Sequence, residues 1–148
     1  MTRTRIPVLI ACGCALSAAM LAPDASARDA GARAASLDWT GRARVGIASF
    51  YADRFAGRTM ADGGRMDPHG DNAASLTLPL GTSARVTNLE TGQSATVTIR
   101  DRGPYVKGRI LDLSPSTARR LGITRAQGLA KVEVAPLALP AAPRGERN

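Results

Sequence analysis

The sequence predicts a mainly β domain, closed into a small barrel, with one or two short helices. Several short segments alternate apolar and polar residues or are rich in β-branched residues, and Gly, Pro, Asn and Asp separate them. Only one segment carries the capping signals of a helix. Closing short strands into a barrel removes the unpaired sheet edges that would otherwise aggregate.

Residues 1–27 are predicted to form a secretory signal peptide. Arg3 and Arg5 precede an apolar stretch over residues 6–22, and a small-x-small cleavage pattern ends at Ala27. This arrangement is typical of exported proteins, so we expect the protein in the periplasm or elsewhere in the cell envelope.

Both cysteines, Cys12 and Cys14, lie in this segment. A chain cut after Ala27 therefore has no disulfide and no thiolate metal site, and with a single histidine we expect no metal and no other cofactor. The alternative to cleavage is an outer-membrane lipoprotein, because residues 9–12 (LIAC) are similar to the box that precedes a lipidated cysteine. We expect contact with a membrane only if Cys12 is lipidated.

The chain is strongly basic, with 20 Lys and Arg against 12 Asp and Glu. Removing residues 1–27 leaves 18 basic and 11 acidic residues, a net charge of +7. Outside the cytoplasm, this charge favours an anionic envelope polymer or membrane surface over nucleic acid as the partner. The length of 148 residues leaves room for one domain, and we expect a monomer.

The mature chain is predicted to divide into a leader, a barrel domain and a tail. Residues 28–43 are rich in Ala and polar residues without strand alternation, which predicts a flexible leader. The barrel domain is predicted over residues 44–135. Residues 136–148 carry three prolines and end in charge, which predicts a disordered tail.

Composition and alternation predict five strands within the domain. They cover residues 46–51, 83–88, 95–100, 109–113 and 130–134. The connection at residues 89–93 is predicted to be a hairpin loop in which Gly92 takes a positive φ. The helix is predicted to begin after Ser114, a good N-cap, with Pro115 in its first position, and to end before Gly122.

Three stretches of the domain carry a specific set of motifs in a fixed order. They are GIASFYADRFAGRTMADGGRMD (46–67), AASLTLPLGTSARVTNLETG (73–92) and IRDRGPYVKGRILDLSPSTARRLG (99–122). Together they resemble the rare lipoprotein A (RlpA)-like double-psi β-barrel over roughly residues 44–135.

The resemblance implies a six-stranded double-psi barrel in the bacterial envelope that acts on peptidoglycan glycan strands. It further implies endolytic lytic transglycosylase activity on peptide-free strands. Such an enzyme breaks the bond between N-acetylmuramic acid and N-acetylglucosamine without water and leaves a 1,6-anhydro end.

Glycosidic cleavage needs an acid for the leaving oxygen and usually a second group that stabilises charge or acts as a base. The resemblance implies a glutamate, a histidine and the aspartate of D-R-G-P for this work, and the aspartate is Asp101 here. The glutamate position reads Gly64 and the histidine position reads Ser75. Of these three positions, only Asp101 is therefore fit for proton transfer, and Gly103-Pro104 predicts a rigid turn that holds it at the barrel mouth.

Two residues are candidates for the missing acid. Asp62 lies two residues before Gly64 and would face the same side of an extended segment. His69 lies in a predicted loop six residues before Ser75. A turn-forming role for Asp62 and a solvated loop position for His69 are the alternative interpretations.

A structural role is expected for Asp112, at the end of the segment RILDL. Carboxylates at such junctions commonly accept hydrogen bonds from the backbone N–H groups of a tight turn or a helix start.

Aromatic and polar side chains in the matching stretches are predicted to contact the glycan. Tyrosines would stack on the apolar faces of sugar rings, and arginines would bind sugar hydroxyls or lactyl carboxylates unless they are simply solvated. The candidates are Tyr51, Ser75, Arg100, Arg102 and Tyr105, and Arg109 could act in the same way.

The sequence leaves three functions open. The first is an exported lytic transglycosylase with a relocated acid, and the second is a catalytically inert barrel that holds glycan strands or an envelope partner. The third is a barrel that loosens polysaccharide without cleaving it, as expansin-like relatives of the fold do. Because one fold hosts many functions, the arrangement of the site must separate them.

Overall fold

The computed structural model describes residues 37–142. The predicted signal peptide with Cys12, most of the predicted leader and the end of the predicted tail lie outside these residues. The described elements are β1 (Arg44–Phe50), β2 (Asn72–Ala74), β3 (Ser83–Asn88), β4 (Ser94–Asp101), β5 (Arg109–Leu113), α1 (Pro115–Arg120) and β6 (Ala130–Ala138), with a 3-10 turn at Asp53–Phe55.

The six strands form a closed barrel in the order β1-β5-β2-β4-β3-β6. Strands β1 and β5 pair in parallel, as do β2 and β4, and the other four pairs are antiparallel. Every strand has a partner on both sides, so the barrel presents no open edge. The predicted mainly β barrel with one short helix is therefore confirmed.

The alternation of side chains along the strands explains the core. In β4, Ala95, Val97 and Ile99 are buried, whereas Thr96 between them is exposed. In β5, Leu111 and Leu113 face the same core. Each fully buried Val, Leu or Ile contributes about 1.5–3 kcal/mol relative to an exposed one, so these residues account for much of the stability of the barrel.

Helix α1 forms where its capping residues predict it. The side chain of Ser114 accepts a hydrogen bond from the Thr117 N–H at 3.2 Å, Pro115 opens the helix, and Gly122 follows it with φ +73°. Leu121 at the end of the helix is fully buried in the barrel core. The helix is thereby anchored to the barrel.

The β3–β4 hairpin is also confirmed. Gly92 has φ +73°, and the N–H of Asn88 bonds to the carbonyl of Gln93 at 2.9 Å. The two strands then pair in an antiparallel register from Thr87 and Ser94 onwards.

Two strands differ from the sequence prediction. Strand β2 was not expected, and β6 continues to Ala138, past the predicted barrel end at residue 135. In addition, the N–H of Asp38, within the predicted leader, bonds to the carbonyl of Thr77 at 2.7 Å. Pairing and packing therefore extend beyond the predicted domain limits on both sides.

A long connection between β1 and β2 packs against the outer side of the sheet. We call residues 51–67 the site loop. Tyr51, Met60 and Met66 from this loop form a second buried cluster with Ala74 of β2, and Phe55 packs against it. The loop thus lies on the outer side of the sheet, where β2 and β4 end.

No helix within residues 37–142 is long and apolar enough to cross a membrane.

Candidate functional site

Asp101 is the last residue of β4, and three donors fix its carboxylate. Oδ2 accepts the Tyr51 hydroxyl at 3.0 Å. Oδ1 accepts the backbone N–H groups of Ala61 at 3.0 Å and of Arg102 at 2.8 Å. Two of the donors, Tyr51 and Ala61, belong to the site loop, so the loop and the strand end hold this carboxylate together.

A row of four residues crosses the sheet at this level. Ala74 of β2 pairs with Asp101 of β4 on one side and with Asp112 of β5 on the other, and Asp112 pairs in turn with Ser49 of β1. Directly paired residues of neighbouring strands share a face of the sheet. The backbone positions of the two aspartates are two strand spacings apart, about 9 to 10 Å. We call these four residues the carboxylate row.

Asp112 is held by side chains. It accepts hydrogen bonds from the Ser49 hydroxyl and from Arg109 Nη2, the latter at 2.6 Å. The sequence predicted backbone N–H donors, and that detail is wrong. Asp112 lies between the inward-facing Leu111 and Leu113 and points to the opposite side of the strand, away from the helix start.

Tyr51 is nearly buried, with 9% of its surface exposed. Its ring lies 5.9 Å from that of Phe55 at an interplanar angle of 59°. Burial, and then the negative charge of Asp101, raise the pKa of the Tyr51 hydroxyl well above its usual value, so it remains a donor at every physiological pH. With 9% of its surface exposed, Tyr51 offers little area on which a sugar ring could stack, and that contact stays a prediction.

Asp62 lies next to Ala61 but is engaged elsewhere. Its Oδ2 lies 2.6 Å from Arg100 Nε, and its Oδ1 accepts the Gly64 N–H at 2.8 Å. Burial alone would raise its pKa, but the Arg100 hydrogen bond, the Gly64 N–H and the charge of Arg100 outweigh burial and lower the pKa. A carboxyl that releases its proton so readily is poorly suited to act as the relocated acid.

Arg100 also fills the space beside Gly64. A Cβ built at position 64 would lie 2.2 Å from Arg100 Nη2. The guanidinium therefore occupies the place where a side chain at this position would begin. Arg100, which the sequence predicts to bind substrate, pairs with Asp62, and 37% of its side chain stays exposed.

Ser75 and Arg102 hold the turn after β2. Ser75 is 1% exposed, and its hydroxyl accepts the N–H groups of Thr77 and Leu78 at 3.3 and 3.2 Å. Arg102 Nη1 donates to the carbonyls of Ser75 and Leu78 at 2.9 and 2.7 Å. Both side chains thus satisfy the backbone of this turn, and their contact with a substrate stays a prediction.

His69 is exposed and remote from Asp101 along the strands. Its backbone N–H bonds to Asp67 Oδ1 at 2.8 Å, in the loop that enters β2 at Asn72. Asp101 pairs with Ala74 at the opposite end of that strand. The structure therefore does not bring His69 together with Asp101.

Tyr105 remains available for a ligand. It is 80% exposed and follows the Gly103-Pro104 turn, in which Gly103 has φ +137°, a conformation that favours glycine. A Cβ at Gly103 would lie 3.8 Å from the Tyr105 ring. The turn thus presents an exposed aromatic ring four residues after Asp101.

A cavity of about 160 Å³ opens at Asp101. Its lining is Tyr51, Phe55, Arg58, Thr59, Met60, Met66 and Asp101. The wall combines aromatic and apolar side chains with Arg58 and Thr59, and Asp101 is the only carboxylate among the described residues that line it. Within residues 37–142, no group of three or more His, Cys, Asp or Glu side chains is placed to hold a metal ion.

Comparison with solved structures identifies the fold. The Streptomyces papain inhibitor matches with a TM-score of 0.52 and 21% identity, over 66% of this chain and 96% of that one. An apo expansin of Clavibacter michiganensis matches with a TM-score of 0.50 and 24% identity, over 69% of this chain and 54% of that one. The protein is a double-psi β-barrel.

Comparison of the sequence with protein families then gives the family. Residues 43–134 match the lytic transglycolase family, and the chain belongs to it.

Curated relatives carry names consistent with this family. The chain is 49% identical over 91 residues to a protein of Nostoc sp. named "Probable endolytic peptidoglycan transglycosylase RlpA", covering 60% of this chain and 24% of that protein. It is 47% identical over 88 residues to the "Endolytic peptidoglycan transglycosylase RlpA" of Pasteurella multocida, covering 60% of this chain and 30% of that protein. The match thus spans only a quarter to a third of the length of these relatives.

Proposed function

We propose that this protein is an endolytic lytic transglycosylase that cleaves peptidoglycan glycan strands between N-acetylmuramic acid and N-acetylglucosamine. Membership of the lytic transglycolase family supports the reaction class. The observation that carries the proposal is the position of Asp101, which is held by three donors on the wall of a cavity that combines aromatic and apolar side chains with Arg58 and Thr59.

One carboxyl group is sufficient for this reaction. The C6 hydroxyl oxygen of N-acetylmuramic acid forms a bond to C1 of the same sugar, and the bond from C1 to O4 of N-acetylglucosamine breaks. Asp101 takes the proton of the C6 hydroxyl and delivers a proton to the leaving O4, so no water is consumed. The replacement of two family positions by Gly64 and Ser75 leaves this cycle intact.

Tyr51 orients the Asp101 carboxylate. Its hydroxyl stays protonated and donates to Oδ2, and with two backbone N–H groups on Oδ1 this leaves one lone pair of Oδ2 for the substrate. Tyr105 provides the exposed aromatic face on which a neighbouring sugar ring can stack.

A catalytically inert glycan-binding barrel is the second candidate function. The observation that favours it is the Arg100 side chain, which fills the space beside Gly64 and pairs with Asp62. A second proton-transfer group is thereby replaced by an ion pair, whereas the cavity at Asp101 and the exposed Tyr105 are retained.

The test is a digest of peptide-free glycan strands with the purified protein, in which 1,6-anhydro-muramic ends are counted by mass spectrometry. We expect anhydro products that Asp101→Asn abolishes. Asp53→Asn is the matched control, because Asp53 lies on the surface in an exposed pair with Arg125. Glycan binding without new anhydro ends at high protein concentration would contradict the enzyme and support the inert barrel.

We also propose that the protein is exported to the cell envelope by residues 1–27. The predicted signal peptide supports this, as does the substrate, which lies outside the cytoplasm. The mass of the protein recovered from the envelope tests it. A chain that begins at residue 28 is expected, whereas a lipid-modified chain that begins at Cys12 would establish the lipoprotein alternative.

A further inference from the structure

Two donor side chains lie on the wall of the cavity at Asp101. Arg58 and Thr59 line this cavity together with the Asp101 carboxylate. Neither the Arg58 guanidinium nor the Thr59 hydroxyl has a hydrogen-bond or ion-pair partner in the part of the chain that the structure describes. By contrast, the nearby Arg65 donates to the carbonyl of Gly57 at 2.8 Å. Arg58 and Thr59 therefore keep their donors for a ligand.

The backbone of the site loop fixes the position of Arg58. Its N–H bonds to the carbonyl of Phe55 at 3.0 Å, and its carbonyl accepts the N–H of Met66 at 2.8 Å. The guanidinium lies over the Phe55 ring, 5.6 Å from the ring centroid, and an aromatic face attracts a cation in this position. Thr59 is held as well, because it pairs with Arg65 in a β-bridge. Both donors therefore belong to a hydrogen-bonded part of the site loop.

The two charges on the wall favour a neutral ligand group. An anion that is attracted by Arg58 is repelled by Asp101, and an ammonium group that is attracted by Asp101 is repelled by Arg58. A neutral carbonyl oxygen accepts hydrogen bonds from Arg58 and Thr59 and opposes neither charge. The cavity is therefore suited to an uncharged group that carries an acceptor.

The size of the cavity and the apolar part of its wall limit this group further. The volume of about 160 Å³ is smaller than the roughly 300–1,000 Å³ of pockets that enclose a whole small molecule, so the cavity accommodates a substituent or part of a sugar ring. Phe55, Met60 and Met66 provide apolar, polarisable contacts that suit a methyl group. The wall thus combines donors for a carbonyl oxygen with a surface for a methyl group.

We propose that Arg58 and Thr59 determine specificity by binding the 2-acetamido group of the sugar that lies at Asp101. This inference rests on the proposed action on glycan strands. The acetamido carbonyl accepts hydrogen bonds from Arg58 and Thr59, and its methyl group packs against Met60 and Met66. Removal of the acetyl group leaves an ammonium group, which lacks both the carbonyl and the methyl and faces the charge of Arg58. N-deacetylation of a glycan strand therefore protects it from this protein.

Two neutral oligosaccharides of equal length test this proposal without any turnover. One is a β-1,4-linked oligomer of N-acetylglucosamine, and the other is the corresponding oligomer of glucose, so the two probes differ only in the group at C2 of each sugar. Neither contains muramic acid, so neither can form an anhydro-muramic end. We expect calorimetry to show that the acetylated oligomer binds about tenfold more tightly, because only its carbonyl and methyl groups match the wall of the cavity.

Three variants identify the residues that cause this preference. Arg58→Ala should weaken the binding of the acetylated oligomer about tenfold, and Thr59→Val, which removes only the hydroxyl, about two- to tenfold. Both should leave the binding of the glucose oligomer unchanged. Arg54→Ala is the matched control, because Arg54 is also exposed and lies over the Phe55 ring at 5.0 Å, but does not line the cavity. It should leave both affinities unchanged.

Equal affinities for the two oligomers would overturn the proposal, as would an equal loss in the Arg54→Ala control. A variant Arg58→Ala that loses affinity for both oligomers alike would also overturn it, because Arg58 would then contact the sugar chain without recognising the acetamido group.

The outcome is separable from the proposed function. A protein that forms no anhydro ends but still prefers the acetylated oligomer fails as an enzyme and keeps this specificity. A protein that forms anhydro ends without this preference keeps its activity, and Arg58 and Thr59 do not determine its specificity.

Discussion

Gly64→Ala tests whether the Arg100–Asp62 pair has taken over the space beside position 64. The added Cβ would lie 2.2 Å from Arg100 Nη2 and 3.1 Å from Asp62 Oδ1. Gly64 does not have a positive φ, so the conflict arises from the side chain alone. The guanidinium must move, and its 2.6 Å contact with Asp62 is weakened.

The expected change in the free energy of unfolding depends on how exposed the Arg100 and Asp62 side chains are. A hydrogen bond to a charged group contributes about 1.5–3 kcal/mol, but the Arg100 and Asp62 side chains are 37% and 25% exposed, and screening reduces the loss to about 1 kcal/mol. Replacing Gly by Ala stabilises the folded state by about 0.4–1 kcal/mol through the entropy of the unfolded chain. The two effects nearly cancel, so Gly64→Ala should change the free energy of unfolding by less than about 0.5 kcal/mol.

A double-mutant cycle separates the two effects. In an Arg100→Ala background the steric conflict is absent, and Gly64→Ala should stabilise the protein by about 0.4–1 kcal/mol. Urea denaturation of the four proteins should give a coupling of about 1 kcal/mol between positions 64 and 100. An Arg85→Ala background serves as the control and should show no coupling. The same effect of Gly64→Ala in all three backgrounds would refute the reasoning.

Three further predictions concern single side chains. The pKa of Asp62 is lowered from 3.8, so its ionised form stabilises the fold above that pH, and this stabilisation is lost as the pH falls through the lowered value. Asp62→Asn should therefore reduce the loss of stability at acid pH, measured by urea denaturation at a series of pH values. An unchanged dependence of stability on pH would contradict this. Arg102→Ala should lower the free energy of unfolding by about 2–4 kcal/mol, because the carbonyls of Ser75 and Leu78 lose a charged donor. A variant that keeps its stability and loses only glycan binding would indicate a substrate contact instead. Tyr105→Ala should change the free energy of unfolding by less than about 0.5 kcal/mol, since the ring is 80% exposed. It should weaken the binding of peptide-free strands about two- to tenfold. Undiminished binding would show that the ring does not contact the glycan.

The elements that follow local rules were predictable from the sequence. The β3–β4 hairpin shows strand alternation and Gly92, and α1 has Ser114 and Pro115 at its start. Strand β2 is three residues long, with two alanines, and has no β-propensity to reveal it. Pro136 indicates that β6 ends before it, but the strand continues past it. Pro136 pairs with Ala84 at an irregularity in the register with β3, and such an irregularity tolerates a residue without a backbone N–H group.

The site was predictable only in part. The D-R-G-P turn and the exposed Tyr105 follow from residues adjacent in sequence. The partners of Arg100 and Arg102 are Asp62 and the turn carbonyls after β2, more than twenty residues away, and only the strand order brings them together. The sequence therefore predicts ligand contacts for Arg100 and Arg102 but gives no sign that the same side chains bond to Asp62 and to backbone carbonyls of the protein.

The single strand between Asp101 and Asp112 constrains how this scaffold can change. Backbone hydrogen bonds on both sides of β2 fix the distance between the backbone positions of Asp101 and Asp112. This distance could change only if a whole strand were added or removed. Substituting side chains along the carboxylate row therefore leaves the spacing of the two aspartates unchanged. A new specificity must therefore come from the residues around Asp101, so redesign should begin with the length and composition of the site loop.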